Sequence, residues 1–162
     1  MNRLRQEGIV RDWAVYGAVA YSFHEEPVST RDIDIIVLAD DMEYAKVFSA
    51  MSRLAKPAPG TMDFLVGDLP VQVFPTSINS PLFEDALKQA TEVDIAGEPG
   101  KVLPREHLII LPLQAFRPAK DYGKIMGLLP RADPRKLELL LERFDIDGKL
   151  AEKLRWLTSG PP

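Results

Sequence analysis

Short apolar runs alternate with helically spaced apolar residues along the first part of the chain. Residues 13–16 form a compact apolar run that ends at Gly17, and residues 32–38 are rich in β-branched side chains. Runs of this kind predict buried strands. Four further runs, paired across segments that contain glycine and proline, predict two hairpins: 62–66 with 71–74, and 92–96 with 101–103.

Apolar residues at the spacing of one helix face predict helices between and after these strands. Asp40 and Asp41 are suited to cap one of them, and Ser80 to cap another. Pro112 lies inside a predicted helix and should kink it, because proline offers no backbone N–H. The predicted helices cover 2–10, from Gly17 to Pro27, from Asp41 to Leu54, 80–90, 104–116, 118–129, 133–145 and 148–157.

This order of elements predicts an α+β fold with a mixed sheet flanked by helices. The sheet and its helices occupy residues 1–103, and a C-terminal helical part over 104–158 packs on that core. Residues 159–162 are predicted to be a frayed tail, because they lack periodicity.

The first predicted hairpin also assigns side chains to faces of the sheet. If Val66 lies opposite Val71, the two valines share the core face with Met62, Phe64 and Val73. The side chains that then share the opposite face are Asp63, Leu65, Gln72 and Phe74.

Composition narrows the class of protein without naming a function. The 162 residues contain no cysteine, which excludes disulfides, thiolate metal sites and cysteine nucleophiles. A formal net charge of −4 gives no footprint for general nucleic-acid binding. No apolar run approaches the roughly 20 residues of a membrane span, and the first residues have no apolar signal segment. We therefore expect a soluble cytoplasmic protein with no membrane partner.

Two carboxylates in one strand are the most informative chemical feature. Asp32 and Asp34 project from the same face, because successive side chains of a strand alternate. Strands disfavour aspartate, and two neighbouring carboxylates repel each other. A divalent cation removes that repulsion, and oxygen ligands in a chain without thiols favour Mg²⁺ or Mn²⁺.

Gly17 joins a strand directly to a predicted helix. The first N–H groups of a helix have no intrahelical partner, and glycine lets another group approach the backbone closely. Such an elbow suits a phosphate group, and Asp32 and Asp34 follow it after 15 and 17 residues. A nucleoside triphosphate bound with Mg²⁺ needs both features.

These residues resemble the nucleotidyltransferase superfamily, which has the polymerase-β-like fold. The resemblance is carried by Gly17-Ala18, His24 and Thr30-x-Asp32-Ile33-Asp34. A second stretch, Leu103–Leu108 followed by Arg117 and Lys120-Asp121-Tyr122, resembles the helical part of small bacterial members. The likeness implies that Gly17, Ala18, Thr30 and Lys120 contact the triphosphate. It also implies that Asp32 and Asp34 are the catalytic, metal-binding carboxylates.

The chain departs from the family pattern at three positions. Ala18 stands where a serine or glycine is usual, and Pro112 stands where a lysine is common. The family's third carboxylate corresponds to Gln72, which is neutral and cannot act as a base. Either Gln72 itself, through its amide oxygen, or Asp63 is the candidate for a third metal ligand.

Two functions stay open on these grounds. The first is Mg²⁺- or Mn²⁺-dependent transfer of a nucleoside monophosphate from a nucleoside triphosphate to a hydroxyl of a protein, an RNA or a small molecule. The second is a catalytically degenerate relative that binds a nucleotide or a protein partner, for example within a toxin–antitoxin system. The acidic overall charge disfavours a long RNA or DNA acceptor, but a local basic groove of Arg105, Arg117, Lys120 and Lys124 could override that effect.

Overall fold

The computed structural model describes residues 1–58, 63–115 and 117–159. The strands in these ranges are β1 (Trp13–Tyr16), β2 (Ile33–Val37), β3 (Lys56–Pro57), β4 (Phe64–Val66), β5 (Leu69–Pro75), β6 (Thr91–Ile95) and β7 (Glu98–Val102). They form one seven-stranded sheet in the order β3-β4-β5-β2-β1-β7-β6.

The sheet is mixed. β2 pairs in parallel with β5 and antiparallel with β1, and β1 pairs in parallel with β7. The middle of β2 is buried, with Ile36 and Val37 fully inaccessible, so both faces of the central strands are covered by other elements. This arrangement confirms the predicted α+β fold with a mixed sheet flanked by helices.

The helices lie close to their predicted positions. They are α1 (Asn2–Gln6), α2 (Gly17–Tyr21), α3 (Asp41–Leu54), α4 (Ser80–Lys88), α5 (Arg105–Gln114), α6 (Pro118–Leu128), α7 (Pro134–Phe144) and α8 (Lys149–Ser159). Asp40 caps α3 through a capping box with Glu43. Pro112 lies inside α5, as expected.

Several element ends differ from the prediction. The first helix stops at Gln6 instead of residue 10, and α2 ends at Tyr21, well before Pro27. Asn79, not Ser80, is the N-cap of α4. α8 continues to Ser159, so that residue belongs to the last helix and not to a tail.

Both hairpins turn more tightly than predicted. In the first, Val66 pairs with Leu69 and Phe64 pairs with Val71, so the predicted Val66–Val71 pairing is wrong by two residues. In the second, Ile95 pairs with Glu98, and both turn residues, Ala96 and Gly97, have positive φ. Two-residue turns of this kind match the twist of the flanking strands, so the segments predicted as loops supply strand residues instead.

The two-residue shift leaves the predicted faces unchanged, because side chains alternate with a period of two. Phe64, Val71 and Val73 are buried in the core, whereas Val66, predicted on the same core face, is 54% exposed at the end of β4. Gln72 and Phe74 therefore share the opposite face of β5. Lys56–Pro57, which belongs to none of the predicted strands, forms the short edge strand β3.

The helical part is held on the core by apolar packing around α5. Residues Leu108, Ile109, Ile110, Leu111 and Leu113 of α5 are all buried. Glu25, in the segment after α2, adds a polar connection, since it pairs with both Arg105 and Arg131.

A second polar connection joins α4, α5 and α7. The buried Asp85 carboxylate accepts from His107 Nε2 at 2.9 Å and from the Arg143 guanidinium at 2.6 Å. Burial lowers the pKa of His107, and the Asp85 hydrogen bond opposes that shift more weakly. A neutral His107 that donates from Nε2 therefore belongs to the folded state.

Some predicted positions lie outside the described residues. They are Met62 of the first hairpin, residue 116 at the end of a predicted helix, and residues 160–162 of the predicted tail. Among the residues that are described, none of the helices combines the length and apolar character that crossing a membrane requires.

Candidate active site

The end of β1 and the start of β2 bring Gly17 and Asp34 together. Tyr16 and Asp34 are directly paired on these antiparallel strands, and α2 begins at the next residue, Gly17. Gly17 has a φ of +63°, and a Cβ built there would lie 2.0 Å from Oδ2 of Asp34. The Asp34 carboxylate thus fills the space that a side chain at position 17 would need.

Asp32 precedes β2 and is positioned by Thr30. The Thr30 hydroxyl donates to Oδ1 of Asp32 at 2.8 Å. This bond orients the carboxylate and leaves its second oxygen available, in the way that outer hydrogen bonds orient metal ligands.

Gln72 lies beside Asp34 in the sheet. The parallel pairing of β2 with β5 makes the two residues direct partners, and adjacent strands are about 4.8 Å apart. The residue beside Asp34 on the neighbouring strand is therefore a neutral amide. Its oxygen can still accept a hydrogen bond or bind a cation.

Asp34 separates two adjoining cavities. The first, about 280 Å³, has Gly17, Gln72 and aromatic and apolar walls from Tyr16, Tyr21, Phe74, Leu108 and Leu128. The second, about 240 Å³, is lined by Ala18, Val28, Ser29, Thr30 and Asp32. Asp34, Lys120 and Lys124 line both cavities.

The first turns of α6 place positive charge opposite the aspartates. Arg117 lines the first cavity, and its backbone N–H and guanidinium contact the buried Asp121 carboxylate at 3.0 and 3.5 Å. Lys120 is exposed and Lys124 is half-buried. Within residues 1–58, 63–115 and 117–159, neither lysine forms a hydrogen bond or an ion pair.

The charges of the site are coupled to one another. Burial, and then the negative charge of Asp32, raise the pKa of Asp34, while Lys120, Lys124 and Arg117 oppose that shift. Burial also lowers the pKa of Lys124. Burial and the nearby Asp34 and Asp121 raise the pKa of Tyr16. Each shift disfavours the charged form of its group.

The donors of the site suit a hard divalent cation. Asp32 and Asp34 offer carboxylate oxygens and Gln72 an amide oxygen, which are the donor types that Mg²⁺ and Mn²⁺ prefer. Among the described residues, no three His, Cys, Asp or Glu side chains come together in one group. The protein itself therefore offers two anionic ligands, and further oxygens would come from a phosphate or water.

Most of the sequence-predicted site residues are brought together by this fold. Gly17, Ala18, Thr30 and Lys120 all border the two cavities that contain Asp34. Asp63 does not border them. It lines a separate cavity beside Tyr44 and Phe74, on the side of Gln72 away from Asp34.

Two residues quoted with the motifs, His24 and Arg105, form hydrogen bonds outside the two cavities. His24 donates from Nε2 to the carbonyl of Leu103 at 2.8 Å. Arg105 pairs with Glu25 and donates to the His24 carbonyl at 2.9 Å, so it lies outside the predicted basic groove.

Sequence reasoning gave Lys124 no role of its own and missed Tyr16 and Tyr21 as walls of the first cavity. Lys124 could have been found from its spacing, because residues 120 and 124 lie on the same side of a helix. The tyrosines carried no such signal, since both sit in segments that read as core.

Comparison with known proteins supports the fold. The chain matches an antigenic nucleotidyltransferase-like protein from Paracoccidioides brasiliensis with a TM-score of 0.68 and 16% identity, over 98% of this chain and 83% of that one. It matches the antibiotic-resistance factor ANT(2'')-Ia in solution with a TM-score of 0.59 and 14% identity, over 93% and 90% of the two chains.

A second structure of ANT(2'')-Ia, in complex with adenylyl-2''-tobramycin, matches with a TM-score of 0.54 and 14% identity, over 89% and 92% of the chains. No model of a protein family and no curated protein matches the sequence. At these identities the similarity establishes a nucleotidyltransferase-like fold across nearly the whole chain.

Proposed function

We propose that this protein binds a nucleoside triphosphate together with a divalent cation and transfers its nucleoside monophosphate to an acceptor hydroxyl. The observation that carries the proposal is the contact between the Asp34 carboxylate and Gly17. It joins the carboxylate pair and the start of α2 in one site, as a nucleotide–metal complex would require.

Asp32 and Asp34 would hold the cation, with the Gln72 amide oxygen as a neutral third donor. A bound Mg²⁺ or Mn²⁺ would supply charge neutralisation for the phosphates. Thr30 keeps Asp32 oriented through its 2.8 Å hydrogen bond. Asp63 is not proposed as a ligand, because it lies in a separate cavity beyond Gln72.

The cavity lined by Ala18 and Thr30 is assigned to the triphosphate. The first N–H groups of α2, from Gly17 and Ala18, have no intrahelical acceptor. Lys120 and Lys124 border the same cavity and provide the positive charge that a helix as short as α2 does not.

The proposed step forms one bond and breaks another. The acceptor oxygen attacks the α-phosphorus, the bond from that phosphorus to the bridging oxygen of the β-phosphate breaks, and pyrophosphate leaves with that oxygen. The hydroxyl proton passes to water. Attacking and leaving oxygens are roughly in line, so the acceptor enters from the side of Gln72 and Phe74, opposite Ala18 and Thr30.

The likeness to ANT(2'')-Ia supports transfer to a hydroxyl, since one structure of that protein contains an adenylylated antibiotic. The acceptor of the present chain is left open as a protein, an RNA or a small molecule. A local basic groove of Arg117, Lys120 and Lys124 stays compatible with each.

Gln72 favours a second candidate function. A site without a third carboxylate binds cations more weakly, so the protein could hold a nucleotide and report it to a partner without transferring anything. A role within a toxin–antitoxin system would be one form of this second function.

Incubation with nucleoside triphosphates labelled at the α-phosphate, with Mg²⁺ or Mn²⁺ and a cell extract as acceptor source, separates these candidates. Transfer predicts a labelled product that disappears in the Asp32→Asn/Asp34→Asn double variant. Nucleotide-dependent thermal stabilisation without any labelled product would favour the second candidate. Absence of both effects would overturn the proposal.

A further inference from the structure

Lys124 is a half-buried cation that forms no hydrogen bond or ion pair in the described parts of the chain. Placing an ammonium group partly out of water costs free energy unless an anion compensates it. Asp121 lies one turn earlier in α6, but its buried carboxylate is already held by Arg117 at 3.0 and 3.5 Å. Asp34 and Asp121 attract the ammonium through space, so among the described residues its hydrogen-bonding capacity is left for a bound group.

The position of Lys124 indicates what that group is. Lys124 borders the two cavities on either side of Asp34, and it shares with Lys120 the wall that faces Ala18 and Thr30. A phosphate group lying between the cavities would be in reach of this ammonium. Lys120 borders the same space but is exposed, so water already compensates its charge.

The carboxylate ligands of the site suit one bound divalent cation rather than two. Asp32 and Asp34 contribute two negative charges, and their neighbour Gln72 contributes none. A single divalent cation balances the pair. The further carboxylate of the first cavity, that of Asp121, is already held by Arg117, so among the described residues that line the two cavities none is left to bind a second cation.

We propose that the site takes up a nucleoside triphosphate with one divalent cation, and that the Lys124 ammonium replaces a second cation as a ligand of the phosphate oxygens. This inference rests on the proposed function, and it makes Lys124 a substrate-binding residue. It also explains how the chain dispenses with a carboxylate at position 72.

The test uses the full chain and α,β-methylene analogues of the four common nucleoside triphosphates, in which the scissile bond is blocked. Isothermal titration calorimetry measures analogue affinity in EDTA and with Mg²⁺, and electron paramagnetic resonance counts the Mn²⁺ bound at saturating analogue. We expect one Mn²⁺ per complex and measurable analogue binding in EDTA.

Lys124→Met should weaken binding in EDTA by about 10- to 100-fold, the loss typical of one charge-assisted hydrogen bond. Lys124→Arg should retain most of the affinity. The matched control is Lys46→Met, which removes an exposed lysine of α3 and should change nothing. Because Lys124→Met removes an unpaired, half-buried charge, we expect it to fold, and a thermal melt checks this.

Placing a negative charge at position 72 gives an independent readout, the number of Mn²⁺ ions bound. The Gln72→Glu/Lys124→Met double variant should bind a second Mn²⁺ in the presence of the analogue. Two Mn²⁺ per wild-type complex, or unchanged analogue affinity in Lys124→Met, would overturn the inference while leaving nucleotide binding intact. Failure of the wild-type protein to bind any of the analogues, with or without cation, would instead overturn the proposed function.

Discussion

A Cβ added at Gly17 would lie 2.0 Å from Oδ2 of Asp34, so the Asp34 carboxylate occupies the space that any larger residue at position 17 would need. The pairing of Tyr16 with Asp34 on β1 and β2 fixes this contact. Glycine is required at position 17 for two separate reasons, the contact itself and a φ of +63°. The contact ties the backbone at the start of α2 to the residue proposed to bind the cation.

Gly17→Ala should therefore destabilise the protein and disturb the site together. The positive φ alone costs about 1–3 kcal/mol for a residue with a Cβ, and the Asp34 side chain must also move. Gly8→Ala is the matched control, since Gly8 has a φ of +70° but nothing within 4 Å of its added Cβ. Urea denaturation should show a larger loss at position 17, and only that variant should lose metal-dependent nucleotide binding. Equal effects of the two substitutions on both measurements would contradict the contact.

Asp34→Asn should stabilise the protein without ligand while abolishing metal-dependent nucleotide binding. The pKa of Asp34 is raised in the folded state, so above the unfolded pKa its ionisation favours unfolding. Removing the charge should raise the free energy of unfolding by roughly 0.5–2 kcal/mol at neutral pH, as is common when a charged residue of a functional site is neutralised. Thermal melts with and without nucleoside triphosphate and Mg²⁺ measure both effects. Asp68→Asn, in the exposed turn between β4 and β5, serves as the control. An Asp34→Asn variant that nucleoside triphosphate and Mg²⁺ still stabilise would refute the assignment of Asp34 as a cation ligand.

Thr30→Ala should lower the affinity for Mg²⁺ with nucleotide by about 10-fold or more, the usual effect of losing a hydrogen bond to a metal ligand. Thr30→Ser keeps the hydroxyl that donates to Asp32 and should bind nearly as tightly as the wild type. Calorimetric titration compares the three proteins. If the serine variant were as weak as the alanine variant, the Thr30 methyl group rather than its hydroxyl would be responsible.

Gln72→Glu should strengthen Mg²⁺ binding, because it places a third negative charge next to Asp34 on the adjoining strand. Without the cation, the same substitution should destabilise the protein, since like charges on neighbouring strands repel. Calorimetry and thermal melts in EDTA and in Mg²⁺ test the two halves separately. Gln6→Glu, on the exposed surface of α1, should show neither effect. A Gln72→Glu variant with unchanged Mg²⁺ affinity would mean that this side chain does not reach the cation.

The free energy of unfolding should fall as the pH drops below about 6.5, which is the ordinary pKa of histidine. The reason is that burial lowers the pKa of His107 in the folded state. Between the lowered pKa and the ordinary one, the unfolded chain binds more protons than the folded one, so acid favours unfolding. The uptake of one proton changes the free energy of unfolding by at most about 1.4 kcal/mol per pH unit. Urea denaturation across this range should give a shallower pH dependence for His107→Gln. A His107→Gln variant that keeps the wild-type slope would exclude His107 as the source.

The sequence by itself determined the class of fold and the centre of the site. β-branched runs, a capping box at Asp40 and helical spacing are local signals, and they located β1, β2 and α3 to within a residue or two. Asp32, Asp34 and Gly17 were also recognisable, because their residue types are unusual for their predicted elements. The lengths of the two hairpin turns could not be predicted from the sequence, since the backbone conformation at Gly67 and Gly97 decides whether a hairpin turns over two residues or four.

Tertiary structure alone decided which distant residues complete the site. The pairing of β2 with β5 places Gln72 beside Asp34 and leaves Asp63 beyond it, and no local pattern encodes that alignment of strands. The packing of α6 against α5, α2 and α8 brings Lys124 to the cavities that Asp34 borders, where it forms no hydrogen bond or ion pair among the described residues. Side-chain type and spacing are properties of a segment, whereas charge compensation depends on everything that surrounds a group in space, and only the folded chain defines those surroundings.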